Sequence, residues 1–204
     1  MTKVIGLTGQ IGSGKSLAAA LLQEMGAATI DADQLARQVV TLGQPAYEEI
    51  LEAFGPPYLL SNGKLDRKAL ARLIFADADA RDRLNAITHP RIREEASRLI
   101  EAYRDQGRDL IVLEAALLIG SNFCDMLDEI WLIVAPPEQI YARLAARDGF
   151  SAAEVTARLE AQLPPAAQTA QAAQVILNDG TKESLYLRLA ALRKRLLNGS
   201  SWQA

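Results

Sequence analysis

Five short apolar runs divide the chain, and sequence with helical periodicity lies between them. Runs of this kind, bounded by helical pattern, are typical of strands buried in a parallel sheet. Helices then cover both faces of the sheet. The pattern predicts an α/β fold with a five-stranded parallel sheet, whose strands are Lys3–Thr8, Ala28–Ile30, Leu110–Leu113, Ile130–Val134 and Val175–Leu177.

The segment after the first run has the spacing of an amphipathic helix. Ala18, Leu21, Leu22 and Met25 fall at i, i+3, i+4 and i+7, so they share one helical face. Gly26 follows and can end the helix. The glycine-rich stretch between the first run and this helix is therefore a strand-to-helix connection.

The segment between the second and third runs, residues 34–107, is too long for one crossover helix. It predicts an inserted helical subdomain within a single domain, 1–204, whose core is 1–33 and 108–204. Proline at the first position of a helix is favoured, so Pro90 is expected to begin one. The predicted helices of the insertion are 46–54, 67–75, 77–87 and 90–106.

A second insertion, residues 138–165, follows the fourth run. One helix carries Arg143 and Arg147, and Ser151 and Glu154 have the spacing of a capping box that opens another. Two short helices with arginines near the turn suggest a lid over phosphates. An ordinary helical hairpin with surface arginines is the alternative.

Composition narrows the function. Half of the 204 residues are hydrophobic and the net charge is −3, so no clustered basic face predicts nucleic-acid binding. A single cysteine, Cys124, excludes an intramolecular disulfide. We find no signal peptide or membrane span and expect a cytoplasmic protein without an obligate protein partner. The tail, residues 198–204, is expected to fray.

The strand-to-helix connection carries GQIGSGKS, residues 9–16, which matches the phosphate-binding P-loop G-x-x-x-x-G-K-[ST]. The N–H groups of residues 12–15 would wrap a β-phosphate, helped by the amino end of the next helix. Lys15 would neutralise the β/γ-phosphate oxygens, and the Ser16 hydroxyl would ligate Mg²⁺. A glycine-rich turn that binds nothing is the alternative. The predicted ATP ligands here are Gly9, Gly12, Ser13, Gly14, Lys15, Ser16 and Leu17.

Carboxylates follow two other predicted strands. Asp31 and Asp33 come after the second strand, and Glu114 comes after the third, where a carboxylate could meet Mg²⁺ directly or through a water. Either aspartate could instead cap the next helix. The chain lacks the guanine-reading Asn-Lys-x-Asp, which disfavours a GTPase. A small-molecule kinase fits best, with a partner-regulated ATPase or a non-catalytic nucleotide-binding module as alternatives.

The sequence resembles the dephospho-CoA kinase family in four segments and in a short fifth segment near the carboxyl end. These are GLTGQIGSGKS at 6–16, IDADQLARQVV at 30–40, GKLDRKALARLIFADADARDRLNAITHPRI at 63–92 and RLAARDGFSAAEVTARLEAQ at 143–162, with VILNDG at 175–180. The resemblance spans nearly the full length. It implies a three-layer P-loop kinase fold that transfers phosphate from ATP, with Mg²⁺, to the ribose 3′-hydroxyl of dephospho-CoA.

The resemblance also implies roles for residues. Asp33 would be the catalytic base or orient the acceptor hydroxyl, and Arg37 and His89 would bind the acceptor. Arg143 and Arg147 would face the ATP phosphates from the lid, with Lys15 and Arg147 acting in catalysis. Asn178 would approach the adenine. His89 has an alternative as the residue that begins a helix before Pro90.

The sequence departs from the family pattern at three places. Gln10 stands where glycine is usual, and Glu114 where aspartate is frequent. Ala116-Leu117-Leu118-Ile119-Gly120 replaces the usual Pro-Leu-Leu-Phe-Glu, which removes a carboxylate expected near the acceptor.

Overall fold

The computed structural model describes residues 2–199, and the chain divides into two compact units. The sheet unit comprises Met1–Asp31 and Ile100–Ala204, and the helical unit comprises Ala32–Leu99. Residues 200–204 of the tail that is expected to fray lie outside the described residues. No helix among residues 2–199 is both long and apolar enough to cross a membrane.

The sheet unit contains five parallel strands in the order β2-β3-β1-β4-β5, so the α/β fold with a parallel sheet is confirmed. The first strand is central because it is apolar along its length; Val4, Ile5 and Leu7 are fully buried. The strands are β1 Lys3–Gly9, β2 Ala28–Asp31, β3 Leu110–Glu114, β4 Glu129–Val134 and β5 Gln174–Leu177.

Helices pack on this sheet through the apolar faces that the sequence predicts. Ala18, Leu21 and Leu22 of α1 are buried in one cluster with Leu185 and Leu189 of α9. The capping box of Ser151 and Glu154 is present at the start of α7. The helices of this unit are α1 Lys15–Glu24, α6 Pro137–Asp148, α7 Ala152–Glu160, α8 Pro165–Thr169 and α9 Lys182–Leu197.

The helical unit has its own small apolar core, formed by Tyr47, Ile50, Leu65 and Leu70. The hydroxyl of Tyr47 donates to the carbonyl of Gly63 at 2.6 Å and so ties the loop before α4 to α3. Its helices are α2 Ala32–Gln38, α3 Pro45–Phe54, α4 Arg67–Ala76 and α5 Ala78–Asp105, the last continuing into the sheet unit.

The prediction of two helices, 77–87 and 90–106, is wrong, because α5 is continuous and carries Pro90 in its interior. Proline lacks an N–H and costs a helical hydrogen bond, which usually ends or kinks the helix. Here the turns on both sides are anchored by burial: Leu84 and Ile87 pack on the core of the helical unit, and Ala96 is fully buried. Tertiary packing therefore outweighs the local preference of proline.

Candidate functional site

The P-loop joins β1 to α1 in the way that its motif requires. β1 ends at Gly9 and α1 begins at Lys15. Gly14 has a φ of +97°, a conformation that side chains other than glycine's rarely adopt. A Cβ on Gly14 would lie 2.1 Å from Nδ2 of Asn178, and one on Gly9 would lie 2.5 Å from the carbonyl oxygen of Ile133. Two glycines of the motif are therefore required by close approach.

Two side chains hold the P-loop by its carbonyl groups. Nη1 of Arg143 lies 3.3 Å from the Gly12 carbonyl oxygen and 3.2 Å from that of Ser13. Nδ2 of the buried Asn178 donates to the same Ser13 oxygen at 2.8 Å. Since the C=O and N–H of a trans peptide point in opposite directions, these bonds turn the N–H of Gly14 to the opposite side of the loop.

Arg143 is itself fixed by further bonds. Its Nη2 donates to Oε1 of Gln139 at 2.7 Å and to the carbonyl of Asn178 at 3.0 Å. Gln139 in turn donates to the carbonyl of Asp179 at 2.8 Å. The guanidinium therefore links α6, the P-loop and the segment after β5.

A cavity of about 800 Å³ opens at the P-loop. Most of the predicted ATP ligands line it: Gly9, Gly12, Gly14, Lys15, Ser16, Leu17, Arg143, Arg147 and Asn178. Ser13 does not; its side chain is fully buried and its hydroxyl has no hydrogen-bond partner within residues 2–199. Gln162 and Lys182 also line the cavity, and the sequence analysis assigned them no role. Gln162 could have been noticed, since it closes the motif of residues 143–162.

Lys15, Ser16 and Glu114 meet at the carboxyl edge of the sheet. Nζ of Lys15 lies 2.8 Å from Oε1 of Glu114, with both side chains about 15% exposed. The Ser16 hydroxyl donates to the same oxygen at 3.0 Å. Asp31 pairs with Glu114 in the β2–β3 register. The ends of β2 and β3 therefore place two carboxylate residues side by side at this edge, and one of them, Glu114, contacts the Ser16 hydroxyl.

This donor set fits a magnesium ion. Mg²⁺ prefers oxygen ligands and is usually held by one or two carboxylates together with substrate phosphates and waters. The Ser16 hydroxyl and the Glu114 carboxylate already lie within hydrogen-bond distance of each other. Within residues 2–199 no group of three or more His, Cys, Asp or Glu side chains is arranged to hold a metal.

Arg147 differs from Arg143 although both lie on α6. The Arg147 side chain is 66% exposed, and its guanidinium bonds both carboxylate oxygens of the adjacent Asp148. That hydrogen bonding raises the pKa of Arg147 and lowers the pKa of Asp148. An exposed pair of this kind is broken at little cost. Arg147 lines the cavity with a guanidinium that can change partners.

The acceptor residues predicted from the resemblance belong to the helical unit. Asp33 is the second residue of α2, and Arg37 lies in its last turn. His89 lies inside α5, so the alternative that it begins a helix before Pro90 is wrong. The sequence Ala116–Gly120 belongs to the sheet unit, where Leu117 is 71% exposed and Gly120 has a φ of +77°.

A parallel sheet with a P-loop at the carboxyl end of its central strand, and a basic cavity beside it, defines a P-loop phosphotransferase. Residues 3–184 match the model of the family described as dephospho-CoA kinase. The chain belongs to the dephospho-CoA kinase family, and the resemblance predicted from the sequence is confirmed. It is an enzyme of the kinase class with a hydroxyl group as acceptor.

Individual relatives are similar to this protein along most of the chain, in sequence and in structure. A dephospho-CoA kinase from Moorella thermoacetica is 48% identical over 182 residues, which cover 89% of this chain and 86% of the relative. The crystal structure of a Thermus thermophilus protein is 37% identical with a TM-score of 0.81, covering 96% of this chain and 98% of that one. A dephospho-CoA kinase from Campylobacter jejuni, 23% identical with a TM-score of 0.72, shares the fold over 98% of this chain and 100% of its own.

Proposed function

We propose that this protein transfers the γ-phosphoryl group of ATP to the ribose 3′-hydroxyl of dephospho-CoA and so produces coenzyme A. The observation that carries the proposal is a P-loop with its supporting bonds in place, in a chain of the dephospho-CoA kinase family. Transfers of this kind depend mainly on positioning and on stabilising charge, because the phosphoryl group needs little covalent help from the protein.

The sheet unit binds ATP in this proposal. The N–H groups of Gly12, Gly14 and Lys15 donate hydrogen bonds to the phosphate oxygens, and the Lys15 ammonium exchanges its bond to Glu114 for the β/γ-phosphates. Arg147 leaves Asp148 for the transferred phosphoryl group, whereas Arg143 supports the loop from its carbonyl side. Asn178 supports the same carbonyl while lining the cavity where we place the nucleotide.

Magnesium would be held by Ser16 and by Glu114, directly or through a water. When bound, the ion neutralises charge that develops on the β- and γ-phosphate oxygens. The shared hydrogen bond of Ser16 and Glu114 supports this assignment, since both oxygens are already adjacent.

Asp33 accepts the proton of the acceptor hydroxyl as the phosphoryl group is transferred. Ribose hydroxyls are very weak acids, so the proton leaves during transfer rather than before it. Arg37 and His89 bind the anionic and polar parts of the acceptor. His89 is the single histidine of the chain and lies where α5 carries Pro90.

We further propose that the enzyme acts in the cytoplasm on a small-molecule acceptor, without nucleic acid, membrane or an obligate protein partner. The net charge of −3 supports the expectation that the protein does not bind nucleic acid.

The direct test incubates the purified protein with MgATP and dephospho-CoA and detects coenzyme A by mass spectrometry. We expect coenzyme A and ADP in equal amounts, and about 10²–10³-fold slower product formation with Lys15→Ala. Parallel reactions replace dephospho-CoA with adenosine, or omit the acceptor. If another alcohol is phosphorylated and no coenzyme A forms, the assignment of dephospho-CoA as the substrate is wrong, and only the assignment to the kinases remains. ATP hydrolysis that needs no acceptor but rises with a protein partner would indicate a regulated ATPase instead.

A further inference from the structure

One peptide of the P-loop is held by a side chain from the far end of the helix pair α6–α7. The backbone N–H of Ile11 donates to Oε1 of Gln162 at 3.0 Å, across 151 residues of chain. Gln162 lies just beyond α7, which ends at Glu160. The bond therefore ties the end of the predicted lid to the phosphate-binding loop.

The side chain of Ile11 is bound to the same helix pair. It packs against the buried cluster of Ile140, Leu144 and Val155, which lies between α6 and α7. The backbone of the next residue, Gly12, also lies close to α6, since a Cβ on Gly12 would be 3.0 Å from Cγ2 of Ile140. Two independent contacts, one polar and one apolar, thus seat this part of the loop on the helix pair.

The peptide between Gln10 and Ile11 is occupied at both ends. Its N–H donates to Gln162, and its C=O, on Gln10, accepts the N–H of Ser13 at 3.1 Å. A peptide with both groups engaged within the protein is not free to bind phosphate. Its orientation instead determines where the N–H groups of Gly12, Gly14 and Lys15 can point, because each peptide plane is rigid.

The bond to Ile11 uses only the oxygen of the Gln162 side chain. Within residues 2–199 the Nε2 group of Gln162 has no hydrogen-bond acceptor. A carboxylate at this position would supply the same oxygen, whereas a thioether of similar length would not accept strongly. The two replacements therefore separate the hydrogen bond from the volume of the side chain.

We propose that Gln162 is a positioning residue for phosphoryl transfer, which acts through the Ile11 peptide on the orientation of the bound ATP phosphates. The inference rests on the proposed function. With Gln162 in place, the helix pair and the loop form one unit that presents the phosphates in a single orientation. Without its oxygen, the Ile11 peptide rotates, and a larger share of bound ATP is misaligned.

The test compares Gln162→Met and Gln162→Glu, with Gln171→Met on an exposed position as the matched control. We expect Gln162→Met to lower kcat at saturating ATP by about tenfold, since small misplacements near reacting groups have effects of this size or larger. Its KM for ATP should change less than kcat. Gln162→Glu should keep kcat within about threefold of the wild type while its negative charge raises KM for ATP.

A second measurement follows the bond itself and needs no acceptor substrate. Hydrogen exchange of the Ile11 amide, measured by NMR in the presence of MgADP, should speed up in Gln162→Met and remain slow in Gln162→Glu and in the control. Unchanged kcat in Gln162→Met would overturn the proposal. So would an equally low kcat in Gln162→Glu with the Ile11 amide still protected. A wild-type protein that forms no coenzyme A contradicts the proposed function, whereas the exchange result still tests the bond.

Discussion

Arg143 of the sheet unit and two arginines of the helical unit, Arg91 and Arg98, make different kinds of contact. In the sheet unit, Arg143 makes four hydrogen bonds, two of them to P-loop carbonyls. In the helical unit, Arg91 bonds Glu49 at 2.8 Å and Arg98 bonds Glu95 at 2.6 Å, with all four side chains at least a third exposed. Hydrogen bonding to Glu49 raises the pKa of Arg91, and bonding to Arg98 lowers the pKa of Glu95.

The difference shows which part of the protein is arranged before its ligand arrives. Exposed ion pairs contribute about 0–1 kcal/mol, so the charges of the helical unit can change partners easily. A part-buried guanidinium bonded to main-chain carbonyls cannot move without leaving those carbonyls unsatisfied, at about 1–3 kcal/mol each. We infer that the phosphate site is preorganised, whereas these ion pairs of the helical unit can rearrange at little cost.

The strongest test of this division concerns Asp33 in the helical unit. Asp33→Asn keeps the size and the hydrogen bonding but cannot take a proton, so we expect kcat to fall ~10²–10⁴-fold. Binding of ATP, followed by calorimetry, should change little. Asp31→Asn is the control two residues earlier. If Asp31→Asn loses activity while Asp33→Asn remains active, Asp31 is the catalytic base. If both variants remain active, neither aspartate is the base.

Lys15→Ala tests the sheet unit. Removing the ammonium group leaves phosphate charge uncompensated, and losing one such preorganised group typically costs about 10²–10³-fold in kcat. Thermal unfolding should change far less than turnover, because Glu114 keeps its bond to Ser16. Lys64→Ala, at an exposed lysine of the helical unit, is the control. Near-normal turnover by Lys15→Ala would defeat the P-loop assignment.

The third prediction separates the two arginines of α6. Arg143→Met should raise KM for ATP about tenfold because the loop loses its support and the phosphates are misplaced. It should also increase hydrogen exchange in the P-loop. Arg147→Met should lower kcat and raise KM for ATP together, yet leave hydrogen exchange in the P-loop unchanged. If Arg147→Met has the kinetics of the wild type, the helix pair is an ordinary hairpin with surface arginines.

The smallest effect concerns the start of β1, which Asp128 fixes by accepting from Nζ of Lys3 and the N–H of Val4, each at 2.8 Å. Burial alone would raise the pKa of Asp128, but these two bonds hold it below its ordinary value. We expect Asp128→Asn to lower the free energy of unfolding at neutral pH by about 1–2 kcal/mol, because hydrogen bonds to a charged group contribute about 1.5–3 kcal/mol and the partial exposure of this carboxylate reduces their effect.

The sign of the pH dependence follows from the lowered pKa of Asp128. Its stabilisation is complete above the unfolded value, near 3.9, and is lost as the pH falls through the lower folded value. The gap between wild type and Asp128→Asn in urea unfolding should therefore narrow below about pH 4. If the difference in the free energy of unfolding stays constant down to acid pH, the destabilisation comes from the change in side-chain shape and not from the lost charge.

Features that depend on neighbouring residues could be predicted from the sequence alone. Five apolar runs became five parallel strands, GQIGSGKS lies between β1 and α1, and Ser151 with Glu154 forms the capping box. These are local, because burial along a strand, glycine in a tight loop and a helix cap each need only a few consecutive residues. The family resemblance rests on the same kind of short segments.

Features that depend on residues far apart in the chain are visible only in the folded protein. Pro90 remains inside α5 because residues on both sides of it are buried. Arg143 faces the P-loop carbonyls across 130 residues, and Gln162 meets Ile11 across 151. No periodicity or motif encodes these pairs, since a side chain's partner is set by the packing that brings its element to another. A long polar side chain bonds whatever unsatisfied group the fold places within about 3 Å of it, so its partner cannot be read from the residues beside it.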